Sequence, residues 1–150
     1  MRSAIRYTPL VVLLGLTAQA CASSVVSIPK VSHYNQAAGF ELALVDKDGH
    51  CQLEVSKAGR DLQMLPLKLP APCGFHLTPE GKVRVTEFND QTYILLEFSR
   101  VIDSKNCDTR LQAVRFVNNR VEASDFTESV AACPPFQWDS YVFTELFAAN

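Results

Sequence analysis

The sequence predicts an all-β domain: a small antiparallel up-and-down β-barrel, or a sandwich, of about seven or eight strands stapled by disulfides. Segments in which apolar and polar residues alternate recur along the chain, separated by turn residues such as Asn118-Asn119. Helical periodicity is nearly absent. Its one candidate is residues 125–132, where Asp125 and Glu128 have the spacing of a capping box. Short strands at this spacing are typical of antiparallel barrels and sandwiches.

The predicted strands follow one another from Phe40. The first hairpin joins two strands through a turn at residues 46–49. Alternation in the second of these strands places Cys51 on the side that faces the core and His50 on the outer side. The full set of predicted strands comprises residues 40–45, 51–55, 62–69, 82–86, 92–101, 110–117, 120–123 and 141–147.

Residues 1–20 have the organisation of an export signal. Arg2 and Arg6 give a positive start, residues 9–18 form a short apolar run, and residues 18–20 (Ala-Gln-Ala) provide a small-x-small cleavage site. The apolar run is about half of the length that spans a bilayer, which argues against a permanent transmembrane helix. The mature chain is therefore expected in the periplasm, an oxidising space in which disulfides persist.

Cys21 bears on how this signal is processed. Residues 17–21, Thr-Ala-Gln-Ala-Cys, resemble a permissive bacterial lipobox, and the five cysteines leave one over after two disulfides. Lipidation of Cys21 accounts for the odd cysteine and would anchor the protein to the outer membrane. The alternative is ordinary cleavage after Ala20 or Ala22, which leaves a free amine and no lipid.

A single domain is expected after the signal, because the remaining residues suffice for one core. Residues 21–37 show no sustained period and predict a tether or N-terminal arm, followed by one β-barrel domain at residues 38–150. The signal holds two of the 14 basic residues and none of the 16 acidic ones, so the mature chain has a net charge of −4. This balance, without a Lys/Arg cluster, argues against nucleic acid as a partner.

Four cysteines lie within the predicted domain and are interpreted as two disulfides. Cys51 points into the core, whereas Cys73 follows two prolines, which remove backbone donors and favour a sheet edge or a loop. Cys107 and Cys133 bracket a later segment. Pairing of nearest neighbours, Cys51 with Cys73 and Cys107 with Cys133, is one of three connectivities, and the sequence alone does not choose between them.

Histidines next to the first cysteine pair raise the question of a metal site. His50 and His76 stand beside Cys51 and Cys73, and four nitrogen and sulfur ligands can hold zinc. Oxidation of the cysteines removes the thiolates that such a metal needs. The histidines, including His33, are therefore expected to face solvent, and no metal or cofactor is expected.

No arrangement of residues predicts catalysis. A Gly-x-Ser-x-Gly nucleophile elbow does not occur. The carboxylate pairs Asp46/Asp48 and Asp103/Asp108 fall in predicted loops. Aspartate is common in such loops because its side chain accepts hydrogen bonds from the backbone of the turn. The chain is therefore predicted not to be an enzyme and to have no catalytic residues.

An aromatic segment follows Cys133. Phe136 and Trp138 come after a diproline and before the last predicted strand. Aromatic side chains usually close the core. The alternative places Phe136 and Trp138 at a rim of the barrel, where exposed aromatic residues mark a surface that binds a partner.

A series of short motifs runs from Ser23 to Arg100: a Ser-Ser start, an arm, a glycine, a Cys-x-Leu-x-Val strand, a second cysteine, and a turn with later strands. The motifs occur at residues 23–24, 39, 51–55, 73, 78–81 and 97–100. In this order they resemble the small periplasmic inhibitors of serralysin-type (alkaline) metalloproteases. Residues 101–150 have no counterpart in that family.

The resemblance implies an eight-stranded antiparallel barrel with one disulfide. It also implies an N-terminal arm that enters the protease cleft, where the free amine approaches the catalytic zinc. In this chain the arm residues would be Ser23, Ser24, Val25, Val26 and Ser27. An acylated Cys21 has no free amine, so the lipid anchor and the arm mechanism exclude each other.

Two hypotheses of function follow. In the first, the chain is an exported inhibitor that binds a metalloprotease or another hydrolase, including an immunity role, through residues 23–27 or through Phe136 and Trp138. In the second, it is an envelope lipoprotein with a structural or assembly role through protein contacts. Both predict a protein partner, and acylation of Cys21 adds the membrane as a second one.

Overall fold

A computed structural model describes residues 30–148, which form ten β-strands and one α-helix. The strand pairings in this part of the chain are antiparallel, so the all-β prediction is confirmed, with more strands than expected. In chain order the elements are β1 (Lys30–Ala37), β2 (Phe40–Lys47), β3 (His50–Ser56), β4 (Gln63–Pro70), β5 (Gly74–Phe75), β6 (Val85–Phe88), β7 (Gln91–Val101), β8 (Cys107–Val117), β9 (Arg120–Ala123), β10 (Glu128–Val130) and α1 (Ser140–Ala148).

The first sheet is a meander of four strands in the order β1-β2-β3-β4. Its first two turns place Ala38 and Asp48, each followed by glycine, at positive φ angles of 49° and 54°. Two-residue turns of this kind match the right-handed twist of the strands that they join. The predicted hairpin of β2 and β3 is confirmed, with Asp46 paired to Cys51.

The edge strand β4 is held against the second sheet by side chains. It contains Pro66, which has no N–H to donate and is therefore tolerated at an edge. The backbone N–H of Lys68 donates to Oε1 of Gln112 at 2.8 Å, and Nε2 of Gln63 donates to the carbonyl of Val121 at 3.0 Å. Polar side chains thus join this edge to β8 and β9.

The second sheet has the order β10-β8-β7-β5, with β6 also pairing with β7 and β9 also pairing with β8. At its centre β7 and β8 form a long hairpin, paired from Thr92 and Phe116 to Val101 and Cys107. The neighbouring strands are shorter and flank this hairpin on both sides. The β7–β8 hairpin is therefore the element on which the second sheet is built.

A first hydrophobic core draws on both sheets. The first sheet contributes Cys51, Leu53 and Val55 from β3, the face that the alternation predicted. The second contributes its own alternating face. Other buried members of this core include Leu42, Leu44, Leu69, Ile94, Leu96, Val114, Phe116 and Val121.

A second core lies on the opposite face of the second sheet, where α1 packs. Phe143 and Leu146 of the helix are buried there together with Trp138. The sheet residues of this core are Tyr93, Leu95, Leu111 and Ala113. The β7–β8 hairpin is consequently buried on both faces, which accounts for the nearly unbroken apolar run in β7.

The predicted strand at residues 141–147 is wrong, because these residues belong to α1. Val142, Phe143, Leu146 and Phe147 pack against the sheet, and this spacing follows a helical period. Asp139 caps the helix: its carboxylate accepts a hydrogen bond from the N–H of Tyr141 at 3.0 Å. The β-branched and aromatic composition of the segment had suggested a strand.

Two further predictions need correction. The candidate helix at residues 125–132 is wrong, since residues 128–130 form β10 and pair with β8. The predicted arm at residues 21–37 is too long, because residues 30–37 form β1. Both segments form strands because they pair with a neighbouring strand, β1 with β2 and β10 with β8. Such pairing leaves no local signal in the sequence.

The four domain cysteines form two disulfides, as predicted, and the connectivity that the sequence left open is that of nearest neighbours. Cys51 is bonded to Cys73, and Cys107 is bonded to Cys133. The first bond joins β3 to the start of β5, and the second joins β8 to the segment that leads into α1. Within residues 30–148 no helix is long and apolar enough to cross a membrane.

Candidate functional site

The residues predicted to bind a target fall in different places. Cys21 and Ser23–Ser27 lie outside the described residues. Phe136 is exposed over 48% of its surface, whereas Trp138 retains only 8% and belongs to the second core. The ring centroids of Phe136 and Trp138 are 4.7 Å apart. Of the two alternatives for these aromatic residues, Trp138 therefore takes the position in the core and Phe136 takes the exposed position.

The histidine predictions are correct for His33 and His50, which are exposed, and wrong for His76, which is only 2% exposed. Nδ1 of His76 lies 3.6 Å from Oε2 of Glu97, and its ring packs against Phe143 with centroids 6.0 Å apart. Nε2 of His76 is buried without a hydrogen-bond partner among the described residues. The packing of α1, which the sequence did not reveal, buries this histidine.

Polar contacts around His76 fasten the aromatic segment to the sheet. The indole N–H of Trp138 donates to Glu97 at 3.4 Å, and Arg84 donates to the carbonyl of Trp138 at 2.6 Å. The guanidinium of Arg84 also lies over the Phe143 ring, 5.7 Å from its centroid. These contacts hold Trp138, in the segment before α1, against the sheet. Trp138 therefore contributes to the packing of the domain.

An open groove of about 900 Å³ lies between α1, the β6–β7 turn and β10. Its floor includes Tyr93 and Leu111 of the sheet and Leu146 and Phe147 of the helix. Its rim carries three exposed aromatic side chains, Phe88, Phe126 and Tyr141. We refer to this feature as the aromatic groove.

One side of the aromatic groove is fixed by Arg115. Its guanidinium donates to Glu122 at 2.6 Å and lies 4.4 Å from the centroid of the Phe147 ring. The Tyr93 ring meets the same Phe147 ring edge to face, with centroids 5.8 Å apart. The hydrogen bond to Glu122 raises the pKa of Arg115, so this cation is permanent. The last turn of α1 is therefore anchored to the sheet.

The charges at the groove rim are acidic. Glu128 and Glu145 line the groove and are exposed. A hydrogen bond between the Tyr141 hydroxyl and the Glu145 carboxylate raises the pKa of Tyr141. The phenol is therefore neutral at physiological pH, and Glu145 supplies the negative charge at this position.

A second exposed apolar feature is the tip of the β7–β8 hairpin, residues 101–106, which we call the hairpin tip. Val101 and Ile102 are 73% and 65% exposed. The backbone N–H groups of Ile102 and Asp103 both donate to the carbonyl of Asn106, at 2.9 and 3.2 Å. The Cys107–Cys133 disulfide fastens the base of the tip.

The carboxylate of Asp103 organises the hairpin tip from within. It accepts hydrogen bonds from the backbone N–H groups of Lys105 and Asn106 at 2.8 and 2.9 Å. Both of its oxygens also accept from Nδ2 of Asn106. The hydrogen bonds from Asn106 and Lys105 lower the pKa of Asp103.

The aspartate pairs considered for chemistry occupy turns and ion pairs. Asp46 accepts a hydrogen bond from the N–H of Gly49 at 2.9 Å within the β2–β3 turn. Asp108 is held by Arg100 and Arg110, each at 3.4 Å. The four domain cysteines are consumed in disulfides, and residues 30–148 contain no cluster of three or more His, Cys, Asp or Glu residues suited to a metal.

The sequence reasoning missed both exposed apolar features. The hairpin tip had a local signal: Val101 and Ile102 are consecutive apolar residues next to a turn, so strict alternation cannot bury both. The aromatic groove had none. Its rim residues Phe88, Phe126 and Tyr141 come from three distant segments, which only the packing of α1 brings together.

No protein-family model, curated protein or solved structure matches this chain, so the resemblance to inhibitors of serralysin-type metalloproteases stays a prediction from its short motifs.

Proposed function

We propose that this chain is an exported, lipid-anchored envelope protein that binds and inhibits a protein target, a hydrolase such as a secreted metalloprotease. The aromatic groove is the observation that carries the proposal. Phe88, Phe126 and Tyr141 expose large side chains around an apolar floor. Aromatic residues beside well-packed apolar pockets are the composition of binding hot spots.

The scaffold around the groove supports binding with little loss of entropy. The Cys107–Cys133 bond ties β8 to the segment that enters α1, and Arg115 holds the last turn of α1. A surface that is already ordered loses less conformational freedom when a partner docks. Such preorganisation favours the slow dissociation that an inhibitor needs.

Charge at the groove indicates the chemistry of the occupant. Glu128 and Glu145 are exposed acids on the rim, and the nearby cation Arg115 is already paired with Glu122. The groove therefore fits a segment of the target that presents apolar side chains flanked by Lys or Arg. Complementary charges at a rim speed association and exclude wrong partners.

Two features support export. Two disulfides persist in an oxidising compartment and are rare in the cytosol. The N-terminal signal pattern ends at Cys21, which is not a member of either pair. Lipidation of Cys21 would hold the domain at the membrane and leave the groove, rather than a free N-terminal arm, as the binding surface.

Inhibition assays with groove variants test the proposal. The mature protein is titrated against a serralysin-type metalloprotease and a panel of other secreted hydrolases, and we expect inhibition of one of them at one-to-one stoichiometry. Phe88→Ala, Phe126→Ala and Tyr141→Ala should each weaken this inhibition by about tenfold or more, as hot-spot truncations do. Leu62→Ala, in the β3–β4 connection, and Met64→Ala, on β4, change exposed apolar residues away from the groove. They are matched controls and should leave the inhibition unchanged.

Intact mass of the protein from a bacterial host completes the test, with a diacyl- or triacyl-sized excess at Cys21 as the expected result. The alternative result is a mass equal to unmodified residues 23–150, together with inhibition that is lost only when residues 23–27 are removed. That result would show that the N-terminal arm, and not the groove, binds the target. Failure to inhibit any hydrolase of the panel would contradict the inhibitor function itself.

A further inference from the structure

The hairpin tip lies at the end of the molecule where the N-terminal segment joins the domain. Lys30 opens β1 and pairs with Asp46, which in turn pairs with Cys51 on the next strand. Cys51 is bonded to Cys73, with Cα atoms 6.2 Å apart. These four residues therefore lie at one end of the two sheets, which we call the tether end.

Strand β7 continues beyond the tether end. Glu97 pairs with Gly74, the residue next to Cys73, and β7 then runs on to Val101. Because β5 and β7 are antiparallel, this last part of β7 leads away from the core. Four residues at about 3.4 Å each carry the end of β7 about 14 Å past that level. The hairpin tip thus lies at the same end as the β2–β3 turn, with Val101 and Ile102 exposed.

The chemistry of the hairpin tip matches a lipid surface. Val101 and Ile102 form an exposed apolar point, flanked by the cation Lys105 and by Arg100, which stays largely exposed although it is paired with Asp108. The carboxylate of Asp103 is turned to its own loop by four hydrogen bonds. Apolar side chains with neighbouring cations suit the boundary between acyl chains and phosphate headgroups.

The length of the N-terminal segment keeps the tether end near an anchor at Cys21. Nine residues lead from Cys21 to Lys30, and even fully extended they span at most about 30 Å. One lipid anchor alone binds a membrane reversibly, and a second contact stabilises attachment. Among the described residues, the hairpin tip is an exposed apolar feature at this end of the molecule.

We propose that Val101 and Ile102 insert into the headgroup region of the membrane when the chain is anchored at Cys21. This inference rests on the lipid anchor of the proposed function and adds an orientation to it. The aromatic groove extends beside α1 from Phe88 and Gln91, at the opposite end of β7, to Val130 and Trp138. Insertion of the hairpin tip therefore leaves the Phe88 end of the groove farthest from the bilayer, open to a partner in the periplasm.

Quenching by brominated lipids tests the inserted side chains. The mature chain is coupled through the Cys21 thiol to maleimide lipids in phosphatidylethanolamine and phosphatidylglycerol vesicles, with or without bromine on the acyl chains. Ile102→Trp should lose emission in the brominated vesicles and shift to the blue, after subtraction of the Trp138 signal. Leu62→Trp is the matched control, since it is 56% exposed in the β3–β4 connection at the opposite end, and its emission should not change.

A second substitution separates insertion from mere proximity. Val101→Asp added to Ile102→Trp should reduce the quenching, because a carboxylate beside the tryptophan resists transfer into lipid. Equal quenching of the Ile102→Trp and Leu62→Trp proteins, or none in either, would overturn the proposal. Absence of quenching together with loss of hydrolase inhibition in Ile102→Asp would assign the tip to a protein partner instead.

This test is independent of the proposed function. The maleimide bond supplies the anchor chemically, so the quenching does not depend on native lipidation, which the intact mass reports. The inhibition assays report the groove. A failure of the hairpin tip to insert is therefore distinguishable from a failure of the anchor or of the inhibitor function.

Discussion

The carboxylate of Asp103 accepts hydrogen bonds from the backbone N–H groups of Lys105 and Asn106 and from the Asn106 side chain. Side chains of this type stabilise a turn by replacing backbone hydrogen bonds that the loop cannot make. These bonds lower the pKa of Asp103, so its folded-state value lies below its unfolded value. Their contribution is therefore present above the unfolded pKa and is lost as the pH falls through the folded one.

We expect Asp103→Ala to loosen the hairpin tip without changing the stability of the whole domain. The protection factors of the Lys105 and Asn106 amides, measured by hydrogen exchange and corrected for the intrinsic rate at each pH, should fall. Acidification of the wild type through the lowered pKa of Asp103, below the ordinary aspartate value of about 4, should lower them in the same way. Asp61→Ala, another exposed acid in a connection, is the control. Unchanged exchange at both amides would show that the strands alone hold the tip.

His76 shows where reasoning from single residues fails. The strand pattern gave no reason to bury it, and yet it is buried beneath α1, beside Glu97 and Phe143. Cys51 shows the opposite case, because alternation along β3 placed it in the core correctly. The sequence predicts which face of a strand a residue lies on when the strand alternates. It does not predict which element will cover that face.

At the scale of elements, hairpins were predicted well and packed surfaces were not. The predicted strands at 92–101, 110–117 and 120–123 agree closely with β7, β8 and β9. Turn residues and period-two alternation are local signals, so they can be read from a short window. Helix α1 was missed because its aromatic and β-branched residues favour strands locally, whereas tertiary packing decides the outcome.

The two faces of α1 should respond differently to truncation. Phe143 is fully buried, so Phe143→Ala should lower the free energy of unfolding by about 3–5 kcal/mol through lost burial and a cavity. Tyr141→Ala, on the exposed face of the same helix, should change it by less than about 0.5 kcal/mol.

Urea denaturation of both variants measures the difference. A small effect of Phe143→Ala would mean that α1 is not integral to the fold. A large effect of Tyr141→Ala would remove it as a reporter for the aromatic groove, because its loss of binding could then reflect unfolding.

At the scale of the molecule, two sheets and one helix form three layers with the β7–β8 hairpin between the two cores. Each disulfide joins this assembly to a segment with little regular structure of its own. The first secures the short strand β5, and the second secures the residues between β10 and α1. Both bonds should therefore add measurably to stability.

Removal of either disulfide should lower the melting temperature. In the chain-entropy model, loops of this size contribute about 3 kcal/mol each, which corresponds to about 10 °C for a domain of this size. We expect that loss in the Cys51→Ala/Cys73→Ala and Cys107→Ala/Cys133→Ala proteins, measured by calorimetry. Cys21→Ser should melt like the wild type. Accessible thiols among the four domain cysteines of the oxidised wild type would contradict the pairing.

The order of the disulfides along the chain has a consequence for biogenesis. Cys51 pairs with the next domain cysteine, Cys73, and Cys107 pairs with the next after it, Cys133, so the two loops neither overlap nor nest. When such a chain crosses a membrane from its N-terminus into an oxidising space, its cysteines arrive one after another. With Cys21 lipidated, as proposed, joining each consecutive pair of domain cysteines gives the native bonds. A chain of this design can be oxidised as it emerges, without a later step that reshuffles mispaired bonds.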